Sequence, residues 1–544
     1  MHNSTYTVKG NVVNPVERTI KGAEITVENG KIVSINFSEP IAGPFILPGF
    51  IDSHVHIESS MLLPSRFAEM AVKHGTIAVV TDPHEVANVA GVSGVRFMQA
   101  NSQKVPFKFF FGVPSCVPAS PLEKSGAVLD AKQVSGLIAE ENFYFLAEMM
   151  NFPGVINYDE EVTRKISAAK KSNKPIDGHV PGLIGEMLQK YVSSGISTDH
   201  ECSTQAEAEE KIRLGMKIQI REGSAAKNFD NLSPLLSKYP KDVMFCTDDC
   251  HPDYLKQGHI NKIVSRAMAK GHDLFDTIYA ATITPIEHYN LPLGKLRIGD
   301  PADFILVNNL EDFEVIETHI QGRLVYKDGN VQFSQPNEKP DNFIFRDKFI
   351  GDLSVIATGS KMHLIEAIDG ELLTKNLLID APVEQGNEVF ANPQNDILKI
   401  VLLDRYSNTL PQVAFIKGFG LKKGALAASI AHDSHHIVAV GCDDISLKAS
   451  LKWVVSNRGG LCFFNGEEGD GLQLPYFGLM TDENGEKVSR VYEQLNQKVK
   501  EFGCSLESPF MTASFMALTV IPEIKINHNG LFDSINFKTI SLFE

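Results

Sequence analysis

ILPGFIDSHVHIESSML, residues 46–62, is the stretch on which the reading of this 544-residue chain turns. An apolar run closes on two histidines one residue apart, His54 and His56, and an acidic, serine-rich turn follows. In a strand, residues i and i+2 share a face, so both imidazoles project the same way, with Asp52 on that face too. Such a pair can be presented to one cation. An HxH pair alone is weak, because buried histidines bonded to backbone carbonyls are common, so the weight falls on the rest of the chain.

Downstream, short apolar runs recur: GTIAVVTD, FKFFFGVPS, NFYFLAEMM, KPIDGHV, GISTDHE, MKIQIREGS and DVMFCTDD, each ending on polar or ionisable residues. Helical patterns such as ISAAKK and AEAEEKIRLG lie between them. The run ends fall at residues 54, 82, 113, 148, 179, 200, 222 and 248, at intervals of 21 to 35 residues. Each interval has room for a strand–helix–strand crossover, which takes about a dozen residues or more. Eight such ends predict a (β/α)8 TIM-like barrel over 49–284, with its reactive groups at the C-terminal ends of the strands. An open doubly wound sheet is the alternative, but no GxGxxG turn follows the first strand.

Both flanks of this region read as short strands. TIKGAEITVENGKIVSIN carries a hairpin signal at ENG, and GKLRIGDPADFILVNNLEDFEVIETHIQGRLVYKDGNVQ has the same texture. Residues 1–48 and 285–338 are therefore expected to build one small β-sandwich domain from both ends of the insertion. From residue 342 to 544 the texture is mixed, including the amphipathic SRVYEQLNQKVKEFG, and a C-terminal α+β domain is expected beyond the polar QPNEKPDNF segment.

Composition narrows the function. With 51 Lys+Arg against 67 Asp+Glu the formal charge is −16, which disfavours nucleic acid and anionic lipid as partners. No apolar run reaches the roughly 18 residues of a membrane span, and the N-terminus lacks a secretory pattern. Seven cysteines without a CxxC pair suggest neither a disulfide framework nor a thiolate zinc cage. A cytoplasmic protein is expected, and a homo-oligomer. HxE at His56 and Glu58 lacks the PCxxC that completes a zinc nucleobase-deaminase signature. HEVAN is not HExxH, because Asn88 stands at its fifth position. No GxxxxGK[ST] loop occurs.

Glu148 closes the fourth run, His179 the fifth, His200 the sixth and Asp248 the eighth. With His54 and His56 they make four imidazoles and two carboxylates on one rim, a set suited to Zn, Mn or Fe(II) rather than Ca or Mg. A carboxylate able to span two cations is among them, so a two-metal site is expected.

PGFIDSHVHIE followed by His and Asp at strand ends resembles the amidohydrolase superfamily. HVHIESSM, TDPHEVANV, DGHVPGL, TDHE, REGS, CTDDCHPD and HDSH together resemble, over nearly the whole chain, its adenine deaminase family of bacteria and archaea. The resemblance implies that His54, His56, His179, His200 and Asp248 hold two divalent cations, Mn(II) or Fe(II) first and Zn(II) as a further candidate. Many relatives bridge their metals with a carbamylated lysine; LAEMMN offers Glu148 and no lysine, so a glutamate bridge is expected. It also implies hydrolysis of adenine, a small purine base, to hypoxanthine and ammonia by a metal-activated hydroxide. Asp248 would take the proton from water.

Ring protonation needs an acid. Glu85 is the first candidate; Glu58, His84, Glu222 and Asp249 are others, with the alternatives that Glu85 caps a helix and Glu222 pairs with Arg221 at the surface. Asp249 could instead orient a ligand. Sequence alternation puts Asp248 and Asp249 on opposite faces, and the resemblance selects Asp248 as the inward one. His435, with His432 and His436 in SIAHDSHHIVAVG, is expected to reach the pocket, or else to sit in a surface turn. Rival functions are another cyclic-amide amidohydrolase, of hydantoinase or dihydroorotase type, and a non-catalytic binding protein on the same barrel.

Overall fold

A computed structural model describes residues 5–340, 350–383 and 385–544. Eight parallel strands, β1 to β8, occupy the expected central region: β1 Phe50–His56, β2 Thr76–Thr81, β3 Lys108–Val113, β4 Phe143–Met149, β5 Ile176–Gly178, β6 Thr198–Asp199, β7 Lys217–Arg221 and β8 Val243–Cys246. β1 through β5 pair in sequence order, as do β6 through β8. Between the two runs, the Ser197 N–H donates to the Ile176 carbonyl at 2.9 Å. After Thr247, Asp248–Asp249 pairs back onto Val55–His56 and closes the ring. The fold is a (β/α)8 barrel.

Every residue of β1 is buried, as are all those of β2 and β8. Barrel strands lie under helices on one side and core on the other, so apolar runs rather than alternation mark them. The helices between carry ordinary start signals. Asp159 accepts from the Val162 N–H to cap Glu160–Lys171, whose acidic first turn and basic last turn oppose the helix dipole. Thr204 caps Gln205–Arg213 in the same way, accepting from Glu207.

Segments from both flanks form a single eight-stranded sheet. Phe45–Pro48 pairs in parallel with Thr5–Asn14 and antiparallel with Phe304–Val307, so one strand joins the two halves. The ENG turn lies between Thr19–Glu28 and Lys31–Ser38, with φ of 52° at Asn29 and 82° at Gly30, the two positive values that a tight hairpin requires. Val12, Ile25, Val27, Ile46, Phe304 and Leu306 lie in this sheet's core.

The chain divides into two compact units. Met1–Pro83, Arg96–Cys116 and Asp130–Asn337 make the first, which holds the barrel and the two-ended sheet. The second comprises His84–Val95, Val117–Leu129 and Glu338–Glu544. Its main feature is a mixed sheet of eight strands, against which Asp444–Ser456 packs through Leu447, Leu451 and Val454. SRVYEQLNQKVKEFG falls in helix Gly485–Glu501, as its periodicity predicts. The boundary expected at residue 342 lies outside the described residues. Two chain segments from the barrel region, 84–95 and 117–129, belong to the second unit, which sequence texture did not suggest.

Candidate active site

The C-terminal ends of β1, β4, β5, β6 and β8 bring six side chains together. His54 and His56 are both buried, their Nε2 atoms 3.3 Å apart. Two imidazole nitrogens this close can face one shared cation. His56 Nδ1 donates to the Asp82 carbonyl at 3.0 Å, which leaves the Nε2 lone pair facing inward. Glu148 divides its oxygens: Oε1 lies 3.3 Å from His56 Nε2, while Oε2 lies 2.7 Å from His179 Nδ1 and 3.4 Å from His200 Nε2. Asp248 Oδ1 is 3.4 Å from His54 Nε2 and 3.1 Å from His56 Nε2. Burial alone would raise the Asp248 carboxyl, but the Arg221 guanidinium and the two imidazoles outweigh it and hold it well below the usual range.

Three overlapping groups have donor atoms within 4.8 Å of one another: His54, His56 and Asp248; His54, Glu148 and His200; His179, His200 and Glu201. Imidazole nitrogen and carboxylate oxygen in this proportion fit borderline divalent cations. The strand ends that sequence singled out supply this set, although Asp82, His179, His200 and Glu222 each stand one position beyond the strand they follow.

Asp52 does not join the imidazoles. It accepts from the Thr247 N–H at 3.1 Å and from the Thr247 hydroxyl at 2.5 Å, and its Oδ2 lies 3.0 Å from His259 Nε2. Its work is to tie β1 to the end of β8. Asp249 accepts from the Ser59 hydroxyl. Glu58 is buried in the short turn Ile57–Ser60 that follows β1.

Glu222 pairs with Arg266 at 2.5 Å, not with Arg221. It lines a cavity of about 190 Å³ with Thr247, Cys250 and His259, and burial raises its carboxyl despite Arg266. Gly223 beside it is obligatory: a Cβ there would come within 1.9 Å of the Thr247 carbonyl oxygen. The residue of REGS that reaches the metal-ligand cluster is Arg221, one position earlier. Successive strand residues face opposite ways, so a shift of one exchanges faces.

Glu201 was also missed. Its Oε1 lies 3.3 Å from His200 Nε2 and 3.9 Å from His179 Nδ1. The signal for it was present in TDHE, an acid directly after the sixth-strand histidine. A further buried acid, Asp177 on β5, accepts from Thr198 and Tyr289, and burial pushes it up to about 7.

Glu85, His84 and His435 belong to the second unit, where they meet one another. Glu85 Oε1 bonds with His432 Nδ1 and Oε2 with His435 Nε2; all three residues are buried. His84 Nε2 is 3.6 Å from Glu85 Oε1. The Ala431 N–H donates to His435 Nδ1 at 3.3 Å, which places the ring proton of neutral His435 on Nε2, facing Glu85. Burial lowers His435 to about 4. Burial would raise Glu85, but His432, His435 and His84 together hold it well below the usual carboxylate range. Glu85 is therefore a carboxylate at neutral pH, and the surface-turn alternative for His435 is ruled out.

The fold is that of a hydrolase of the amidohydrolase class, and the amidohydrolase family model matches residues 45–325. The adenine deaminase C-terminal domain model matches residues 371–538. Adenine deaminase of Methanosarcina barkeri is 50% identical over 99% of both chains, and that of Parabacteroides distasonis 48% identical over 99% of both. The corresponding enzyme of Borreliella burgdorferi is 46% identical over 98% of both. The chain belongs to the adenine deaminase family of amidohydrolases.

Proposed function

We propose that this protein hydrolyses adenine to hypoxanthine and ammonia at a centre of two divalent cations. The observation that carries the reading is the divided Glu148 carboxylate, one oxygen toward His56 and the other toward His179 and His200. Relatives named adenine deaminase over the full chain support the choice of substrate.

In this reading His54, His56 and Asp248 would hold one cation and His179 and His200 the other, with Glu148 placed to contribute an oxygen to each. Mn(II) or Fe(II) suits the set first, and Zn(II) is also compatible. The cations, when bound, supply Lewis-acid activation of water at neutral pH. Asp248, ionised and with Oδ1 directed at the cluster, accepts the proton that water gives up. Glu85 delivers a proton to the purine ring, which makes ammonia a feasible leaving group. Because Glu85 is ionised at rest, its proton must come through His432 or His435. Glu58, His84, Asp249 and His435 are the proposed substrate contacts. Glu222, held by Arg266, is a weaker one.

Among the described residues no helix is long and apolar enough to cross a membrane. A cytoplasmic site of action and a homo-oligomeric state complete the proposal. Purified protein loaded with Mn(II) should release ammonia from adenine and leave hydantoin and dihydroorotate intact. Ring opening of either cyclic amide without deamination of adenine would instead favour the cyclic-amide alternative. A chain that takes up no cation would favour the binding protein.

A further inference from the structure

Arg221 ends β7, is buried, and reaches two carboxylates of the cluster at once. Its Nη1 donates to Asp248 Oδ2 at 2.6 Å and to Glu201 Oε1; Nη2 donates to Glu201 Oε2 at 3.3 Å; Nε donates to the Ala226 carbonyl at 2.9 Å. The guanidinium is held from behind as well. The Arg221 N–H donates to Asn228 Oδ1 at 2.7 Å, and Asn228 Nδ2 donates to the carbonyls of His200 and Cys202, both at 3.1 Å. A planar donor fork fixed at this many points cannot follow a carboxylate that turns.

Two consequences follow from where those bonds fall. Asp248 has one oxygen committed to Arg221, so it offers only Oδ1 to His54 and His56. Glu201 has both oxygens on the guanidinium, although its Oε1 stands 3.3 Å from His200 Nε2, within the shell of ligand atoms. Released, Asp248 could chelate a cation through both oxygens, and Glu201 could join His179 and His200 as a third ligand there. Either change adds anionic oxygen to the cations.

The geometry points to Arg221 as a positioning residue that restrains Asp248 and Glu201 from over-chelating the metal centre. It keeps cation affinity below what the donor set could reach and holds Asp248 in the one-oxygen orientation seen here. The inference rests on the proposed cation centre, but its affinity arm does not depend on which substrate is used. Few structural roles have this signature: loss of Arg221 should tighten cation binding and slow turnover together.

The test uses full-length Arg221→Met and Arg221→Lys proteins and Arg221→Met/Glu201→Gln. Mn(II) affinity is measured by competition with a chromogenic chelator, and kcat and KM for adenine separately. With one more anionic ligand released, Mn(II) affinity should rise about tenfold in Arg221→Met. Its kcat should fall about 100-fold, the scale of lost outer-sphere support, with KM nearly unchanged. Removing the freed Glu201 charge in the double variant should return the affinity toward wild type. Should Arg221→Met fail to fold, Arg221→Lys carries the test, with the same signs and smaller sizes. Weaker Mn(II) binding in a folded variant, or an unchanged kcat, overturns the inference. Failure of the wild type to deaminate adenine would overturn the proposed function and leave the affinity result standing.

Discussion

Glu148 and His179 meet across the seam between β4 and β5, with Oε2 of the acid 2.7 Å from Nδ1 of the imidazole. The other oxygen of the same carboxylate faces His56 on β1. One side chain thus connects imidazoles that arrive from opposite sides of the ring. Glu148→Gln keeps the shape and removes the charge. Cation content measured by elemental analysis should drop below two per chain, and deamination should fall by at least about 1000-fold, because residues that act as one unit fail together. Retained circular dichroism would show that the barrel survives.

Asp248→Asn separates holding a cation from accepting a proton. The amide oxygen can still coordinate, so the expected result is a variant that keeps most of its metal and loses at least about 1000-fold in kcat. Near-normal turnover would remove Asp248 from the chemistry.

On the proposed function cation removal should also cost stability, since the six side chains crowd lone pairs and negative charge into a buried space. A ligand present at about 1000 times its Kd stabilises the folded state by about 4 kcal/mol, so stripping with a strong chelator should lower the thermal midpoint, and readdition of Mn(II) should restore it. An unchanged midpoint would mean that the cluster does not bind cations tightly.

How much of this was legible in the sequence depends on what each residue answers to. His54, His56, Glu148, His179 and His200 are brought together because strand ends in a (β/α)8 barrel converge on one rim, so a one-dimensional period predicts a three-dimensional cluster, while the choice of Asp248 over Asp249 came from the family resemblance. Arg221 was displaced by Glu222 because a run of apolar letters marks a strand end only to within a residue, and one residue changes the face. Glu201 directly follows His200, and strand alternation would turn it to the other face, yet past the strand end both side chains reach the same cluster. The partners of Glu85 lie some 350 residues on, at His432 and His435. No local pattern can announce a contact between such distant segments; only the resemblance of the HDSH motif hinted at it.

Acid sensitivity should have an identifiable source in the second unit. His436 is buried, and burial lowers it to about 3, so it is neutral in the folded chain and near its ordinary value when unfolded. The unfolded state therefore binds the proton first. Stability from this group is complete above the unfolded value of about 6.5 and is lost as the pH falls toward the folded one, amounting to about 2 kcal/mol lost by pH 5. Urea unfolding of His436→Gln between pH 7.5 and pH 5 should show a correspondingly shallower decline. Parallel slopes in the two proteins would assign the acid loss elsewhere.

Lys211 is fully buried and donates to Asp199 at 2.9 Å, to Glu207 at 2.7 Å and to the Val180 carbonyl at 2.7 Å. It anchors the strand end from which His200 projects. Lys211→Met leaves two buried carboxylates without their counter-ion and should cost about 3–5 kcal/mol in chemical denaturation. The double variant with Asp199→Asn should recover part of that loss; a loss no smaller than in the single variant would show that the pairing is not what matters.

The strand Phe45–Pro48, which takes one neighbour from Thr5–Asn14 and the other from Phe304–Val307, also sets a timetable. A ribosome releases the first of these partners some 290 residues before the last. Throughout that interval an apolar strand has an open edge, the kind of surface on which nascent chains stick to one another. Completion of the two-ended sheet must therefore wait for the barrel's last helices to be synthesised, and slow translation through that region would lengthen the exposure.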